Sequence, residues 1–156
     1  MPYEPIGSHL PQPERTVPLL NVSPFEADHN YLKRIFSHSS WKLYVTRTCA
    51  EAAALLKRKR VPVVLSEREL PDGTWRDILE RTIRKANPPA LIVSCRLADD
   101  RLWAEVLNLG GYNVLMKPFR DSEVLRDVSL AWLDWINRAQ RARKARGRPR
   151  ALGGAA

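Results

Sequence analysis

The sequence predicts an α/β protein in which a doubly wound, five-stranded parallel sheet carries helices on both faces. Five short apolar runs, rich in β-branched residues, alternate with five stretches of helical periodicity. With 156 residues, 44% hydrophobic and 28% charged, the chain has enough material for one core and too little for two ordinary domains. Right-handed crossovers between such elements leave the ligand crevice beyond the carboxyl ends of the strands. The polar residues found there are Ser23-Pro24, Ser66-Glu67, Ser94 and Lys117.

Residues 1–16 hold Pro2, Pro5, Pro11 and Pro13 with few apolar residues, the composition of an extended, disordered lead-in. Val17 to Val22 is a first buried strand, and Phe25, Leu32, Ile35 and Phe36 follow at helical spacing. Trp41 to Val45 alternates as a second strand. Thr48, three residues before Glu51, forms a capping-box pattern ahead of Ala-Ala-Ala-Leu-Leu. Val61 to Leu65 is the third strand, Leu70-Pro-Asp-Gly73 a turn, and Trp75, Ile78, Leu79 and Ile83 the apolar face of a third helix. Ala90 to Val93 is the fourth strand. Residues 98–109 form a helix with Leu102, Trp103, Val106 and Leu107 inward, ended by Gly110-Gly111. Tyr112 to Met116 is the fifth strand. Asp121 caps a last helix carrying Val124, Leu125, Val128, Leu130, Leu133 and Ile136. Trp132 is expected on the sheet and Trp135 at a partner surface.

The net charge is +9, and residues from Arg138 onward hold seven cations and no acid, which leaves +2 for residues 1–137. The body is nearly neutral and the tail, residues 138–156, is a largely disordered polycation that would attract phosphates through a salt-screened field. Cys49 and Cys95 lie in apolar surroundings without metal-ligand spacing, so buried thiols are expected rather than a disulfide. The beginning, Met-Pro-Tyr-Glu-Pro, does not resemble a signal peptide, and no apolar run approaches the roughly 18 residues of a membrane span. A cytoplasmic protein without membrane partners is expected. No Gly-rich phosphate loop follows the first strand, and His9, His29 and His38 fall outside the strand-end crevice as surface residues. No enzyme chemistry is therefore expected.

Glu67 to Gly73 (ERELPDG) and Lys117-Pro118-Phe119 together resemble the phosphorylation pocket of a response-regulator receiver domain, over residues 17–137. The resemblance implies a flavodoxin-like receiver fold and a place in two-component phosphorelay signalling. It implies that an acidic pair holding Mg²⁺ would fall on Ser23 and Pro24, the phosphate-accepting aspartate on Glu67, the hydroxyl on Ser94 and the lysine on Lys117. The switch aromatic of that family falls on Val114, with Tyr112 expected on the same strand face. Magnesium wants near-octahedral oxygen coordination, which Ser23 and Pro24 supply poorly. Glu26 and Asp28 are expected to point away from the crevice, so Mg²⁺ binding should be weak or absent and no metal site is assigned. The extra methylene of Glu67 moves its oxygens by ~1.5 Å and should carry them to Lys117 in a standing ion pair. These departures imply a pseudo-receiver locked in one state, acting on a signalling protein through its fourth helix, fifth strand and fifth helix (Trp103, Tyr112 and Phe119), or as a homodimer. Alternatively, Ser94 and Val114 only terminate and fill the sheet, and Trp103 is core.

Arg146-Gly147-Arg148-Pro149 resembles the core of an AT-hook, in which glycine lets an extended backbone lie in a narrow minor groove and the arginines enter its negative potential. That resemblance implies a DNA-associated regulator with A·T-rich DNA as partner. The alternative for residues 137–146 is a solvated basic helix projecting past the core.

Overall fold

The computed structural model describes residues 16–147. The strands are β1 (Val17–Val22), β2 (Trp41–Thr46), β3 (Val63–Glu67), β4 (Ala90–Cys95) and β5 (Asn113–Met116). They form one parallel sheet in the order β2-β1-β3-β4-β5. The helices are α1 (Glu26–Phe36), α2 (Cys49–Arg58), α3 (Trp75–Thr82), α4 (Asp100–Leu109) and α5 (Asp121–Gly147). The predicted doubly wound α/β architecture is the one observed.

Strand periodicity divides the core in two. Val64, Leu91, Val93 and Val114 face α2, α3 and α4, whose Ala52, Leu56, Trp75, Ile78, Leu102 and Val106 complete one cluster. Leu19, Val63, Leu65, Ile92 and Leu115 face the other way, under Leu32 and Phe36 of α1 and Val124, Val128 and Ala131 of α5. The same alternation carried to the carboxyl ends of the strands puts Glu67 after Leu65, Ser94 after Ile92 and Lys117 after Leu115 on the α1 side. The polar residues at the strand ends thus share one face.

Thr48 Oγ1 accepts from the Glu51 amide at 3.1 Å, as the capping pattern requires. The full reciprocal box lies at α3, where Thr74 caps and the Asp77 carboxylate accepts from the Thr74 amide at 2.8 Å. A Cβ on Gly73 would stand 2.2 Å from that carboxylate, so any other residue there would displace Asp77 from the box. Leu70-Pro-Asp-Gly73 closes a hairpin pairing Glu69–Leu70 with Gly73–Thr74. Its Asp72 accepts from the Cys49 and Ala50 amides at 2.7 and 3.0 Å, adding a second cap to α2. Those amides hold the Asp72 carboxyl below the usual carboxylate range. Gly110 ends α4 in the left-handed region at φ 103°, where glycine carries no Cβ penalty. Both cysteines are buried and free.

Several expectations are corrected. Leu107 is 52% exposed because the inward side of α4 is Leu102 and Val106, with Trp103 partly buried against the same cluster. On α5, Leu125, Leu130 and Leu133 are exposed, and small Ala131 is buried in their stead, letting the helix approach the sheet. Asp121 is not a cap: it is the first helical residue and accepts from Tyr31 Oη and, at 3.2 Å, from Arg34 of α1. Tyr112 packs with the α1/α5 cluster, opposite Val114. α5 does not stop at 137, because Asn-Arg-Ala-Gln-Arg-Ala-Arg-Lys-Ala-Arg consists largely of good helix formers and remains helical to Gly147. Residues 138–147 are therefore a basic helix rather than disordered tail, whereas residues 148–156 and the lead-in through residue 15 lie outside the described residues.

Leu65 is wholly buried in the central strand. Leu65→Ala should lower the unfolding free energy by about 2–5 kcal/mol in urea titrations, while Leu107→Ala should change it by only about 0.5 kcal/mol.

Candidate functional site

The carboxyl ends of β1, β3, β4 and β5 meet α1 in a crevice of about 370 Å³ bordered by Phe25, Glu67, Arg68, Arg96 and Lys117. Lys117 leaves the end of β5 buried, and its Nζ lies 2.5 Å from Glu67 Oε2. The standing ion pair expected from the length of glutamate is present. A second carboxylate was not expected there: Asp28 Oδ2 accepts from the same ammonium at 2.8 Å. The Phe25 ring lies over that ammonium, 4.8 Å from ring centre to Nζ. Lys117–Pro118 is a cis peptide.

Asp28 points inward because α1 begins at Glu26, directly after the Pro24-Phe25 turn, which places residue 28 on the row of Leu32 and Phe36. The i, i+4, i+8 spacing of Asp28, Leu32 and Phe36 was the available signal, since both later members are core residues. Ser23 Oγ donates to Asp28 Oδ2 at 2.7 Å and accepts from the Phe25 amide at 3.1 Å. Ser23 therefore orients an acid from α1, while half-buried Pro24 turns the chain out of the sheet.

His29 is likewise buried rather than on the surface. Its Nε2 lies 2.8 Å from the Ser23 carbonyl, which can only accept, so Nε2 carries a proton. Nδ1 is 3.0 Å from Asn21 Nδ2 and accepts from it. A neutral imidazole thereby fixes the end of β1 against α1. Ser94 Oγ stands 3.4 Å from Glu67 Oε2, at the outer limit of a hydrogen bond. Val114 is buried on the opposite face, among Leu91, Val93 and Val106, and is not part of the crevice. On the far side of Lys117, Phe119 packs on Tyr31 with ring centres 5.2 Å apart. Burial and the Asp121 hydrogen bond push the Tyr31 hydroxyl up to about 12.

No family model matches the chain, and no curated protein does. Solved structures match over most of its length. The signal receiver domain of an HD domain-containing protein from Pseudomonas fluorescens Pf-5 is 26% identical, with a TM-score of 0.75, covering 81% of this chain and 94% of that one. The chemotaxis response regulator CheY4 of Vibrio cholerae is 14% identical, with a TM-score of 0.68 and coverage of 74% and 98%. The beryllofluoride-activated NtrC4 receiver domain dimer is 20% identical, with a TM-score of 0.71 and coverage of 76% and 98%. The chain has the receiver fold. Within it, the crevice holds two carboxylates on one ammonium, with serine and proline at the end of β1. No helix among the described residues is long and apolar enough to cross a membrane.

Of the Arg146-Gly147-Arg148-Pro149 motif the structure describes Arg146 and Gly147, which are helical in α5, so an extended groove-binding backbone would require them to unwind. Arg148 and Pro149 lie outside the described residues.

Burial raises the Glu67 carboxyl above its ordinary 4.5, opposed by Lys117 and reinforced by the charge of Asp28. The folded protein thus takes up this proton more readily than the unfolded chain. The stabilising contribution of Glu67 is complete below pH 4.5 and is lost as pH rises through its folded value. Glu67→Gln should therefore gain stability relative to wild type as pH rises from about 4 to 7. Urea unfolding of both proteins across that range checks the sign, and a constant difference would refute it.

Proposed function

We propose that the chain is a response-regulator-like signalling module that accepts no phosphoryl group and acts by protein contact, without enzymatic activity. The observation carrying this reading is that Lys117 is bound at once to Glu67 and Asp28. Two resident carboxylates hold the lysine that the resemblance would direct at an incoming phosphoryl oxygen. Glu67 stands where the resemblance puts the acceptor, with its oxygen already on the lysine, so the acceptor and its electrostatic partner neutralise each other.

Magnesium does not fit these residues. The position between the carboxylates is taken by an ammonium ion, Ser23 spends its proton on Asp28, and Pro24 has no side-chain oxygen to offer. A hard divalent cation would have to expel Lys117 from between Glu67 and Asp28 before it could use either carboxylate.

A fixed crevice leaves a fixed outer surface for a partner. Glu105 pairs with Arg76 of α3, and Trp103 and Leu107, each two residues away on α4, lie roughly opposite it around the helix. Leu107, Met116 of β5 and Leu130 of α5 are exposed at 52, 50 and 47%. This α4–β5–α5 side is the surface we assign to a signalling protein or to a second copy of the chain. Phe119 and Tyr112 belong instead to the α1/α5 packing, and half-buried Trp103 contributes only its outer edge.

Incubation with acetyl phosphate and Mg²⁺, or with beryllofluoride and Mg²⁺, should leave the intact mass and the amide NMR spectrum unchanged. A phosphoryl or beryllofluoride adduct on any carboxylate would overturn the reading.

A second reading, association with DNA, draws support from the cationic continuation of α5 beyond the sheet. If the Arg146-Gly147-Arg148-Pro149 segment acts as a minor-groove hook, removal of residues 148–156 should abolish any preference for A·T-rich over G·C-rich duplexes in fluorescence anisotropy. A preference that survives truncation would assign the selectivity elsewhere.

A further inference from the structure

The edge of the sheet opposite the crevice, formed by the amino ends of the strands, has a different electrostatic character. Three of the segments that reach it are the end of α2 and the following loop (52–62), the end of α3 and its loop (81–89), and the last part of α5 (135–147). None of the three contains an aspartate or glutamate. The alternation of strands and helices returns all three to the same edge, so acid-free stretches that are distant in sequence become neighbours.

Side-chain contacts join them. Lys57, Arg81 and Lys85 line one groove of about 300 Å³ between α2 and α3. Arg60, Arg143 and Arg146 line a second, of about 230 Å³, between the α2 loop and the α5 extension. Lys85 Nζ donates to the Leu56 carbonyl, Asn87 Nδ2 donates to the Trp135 carbonyl at 3.3 Å, and Arg138 Nη1 donates to the Pro88 carbonyl at 3.1 Å. The Arg60 guanidinium lies 4.9 Å over the Trp135 ring. The extension is therefore fastened to the body where it leaves the sheet. The six groove cations are exposed, and none is in an ion pair with a described residue, whereas Arg34, Arg47, Arg76 and Lys117 all are.

We propose that this edge, together with the projecting end of α5, is a binding surface for the phosphate backbone of double-stranded DNA. The surface has the sign and density of charge that a polyanion requires, and four of its six groove cations are arginines, whose planar forks suit phosphate oxygens. Residues 138–147 extend about 15 Å as a helix, the rise of roughly four phosphates along one strand. A membrane surface is the poorer partner because the extension has only alanines and Gln140 between its charges and no apolar face to insert. Single strands are also disfavoured. Their binders stack bases on open aromatic faces, whereas Arg60 covers Trp135, and Lys42 and Lys59 flank Tyr44. The proposal shares its ligand with the second reading above but not its residues. It assigns sequence-independent affinity to the folded body and needs nothing from residues 148–156.

The test is fluorescence anisotropy of a labelled mixed-sequence duplex titrated with the full chain at several salt concentrations. The double variant Lys57→Ala, Arg81→Ala should bind about tenfold more weakly at low salt and lose about 0.9 from the salt slope for each phosphate contact removed. Arg143→Ala with Arg146→Ala should act in the same direction and serves if the first variant does not fold. Truncation after Gly147 should leave both effects in place, even if it removes an A·T preference. The proposal is overturned if either folded variant matches the wild-type affinity and slope. It is equally overturned if the full chain binds no duplex at low salt, or if it binds phosphatidylserine vesicles but not the duplex.

Discussion

Three charges share one buried point, and the arrangement of the carboxyl edge depends on their mutual satisfaction. Lys117, Glu67 and Asp28 come from β5, β3 and α1, and each is at most 8% exposed. Withdrawing a charge from water costs several kcal/mol unless a partner is held in good geometry. None of the three elements can shift alone without stranding a charge. The constraint extends outward: Ser23 holds Asp28, His29 holds the Ser23 carbonyl, and Asn21 holds His29. The end of β1, the start of α1 and the lysine after β5 form one continuous polar network beneath the Phe25 ring.

Such a network selects one arrangement more than it adds stability, because burial leaves Glu67 in an unfavourable setting when ionised and the nearby charge of Asp28 adds to it. That cost is tolerable because the sheet beneath is buried on both faces, with Leu19, Leu65 and Ile92 fully enclosed directly behind the polar residues. An apolar layer packed this densely does not deform continuously, so the crevice inherits its rigidity from the core. Under the proposed reading, a receiver-like frame with a resident cation in the crevice would present its outer surfaces in one fixed relation.

Much of this was legible in the sequence because strands and their ends follow a period of two. Once Leu65, Ile92 and Leu115 are recognised as core, the residues two further on must lie on the same face, and Glu67 is long enough to reach Lys117. The helical partner was harder. Which side of α1 meets the sheet depends on where the Pro24-Phe25 turn ends, and a shift of one residue rotates the helix by about 100°. Asp28 and His29 were therefore misplaced, although their spacing to Leu32 and Phe36 held the answer. The same difficulty affected α5, where bulky Leu125, Leu130 and Leu133 suggested an inward stripe. Val124 and Val128 of the expected stripe are buried, but close approach to the sheet favoured small Ala131 over those leucines.

The distribution of charge follows from the same topology. In a doubly wound sheet every loop after a strand lies at one edge and every loop after a helix at the other, so residue types biased between the two loop classes segregate in space without any long-range pattern in the sequence. Here the loops after strands bring acids and cations together, and the crevice neutralises its own lysine. The loops after α2 and α3 carry cations alone, and α5 continues past the sheet to join them. A tail attached only by a flexible link would add charge without orientation. Because Arg138 is bonded to Pro88 and Asn87 to Trp135, the cations of the extension are held in a fixed relation to those of the body. That preorganisation reduces the ordering entropy lost on binding an extended polyanion, which gives the helical continuation of α5 a physical consequence beyond its charge.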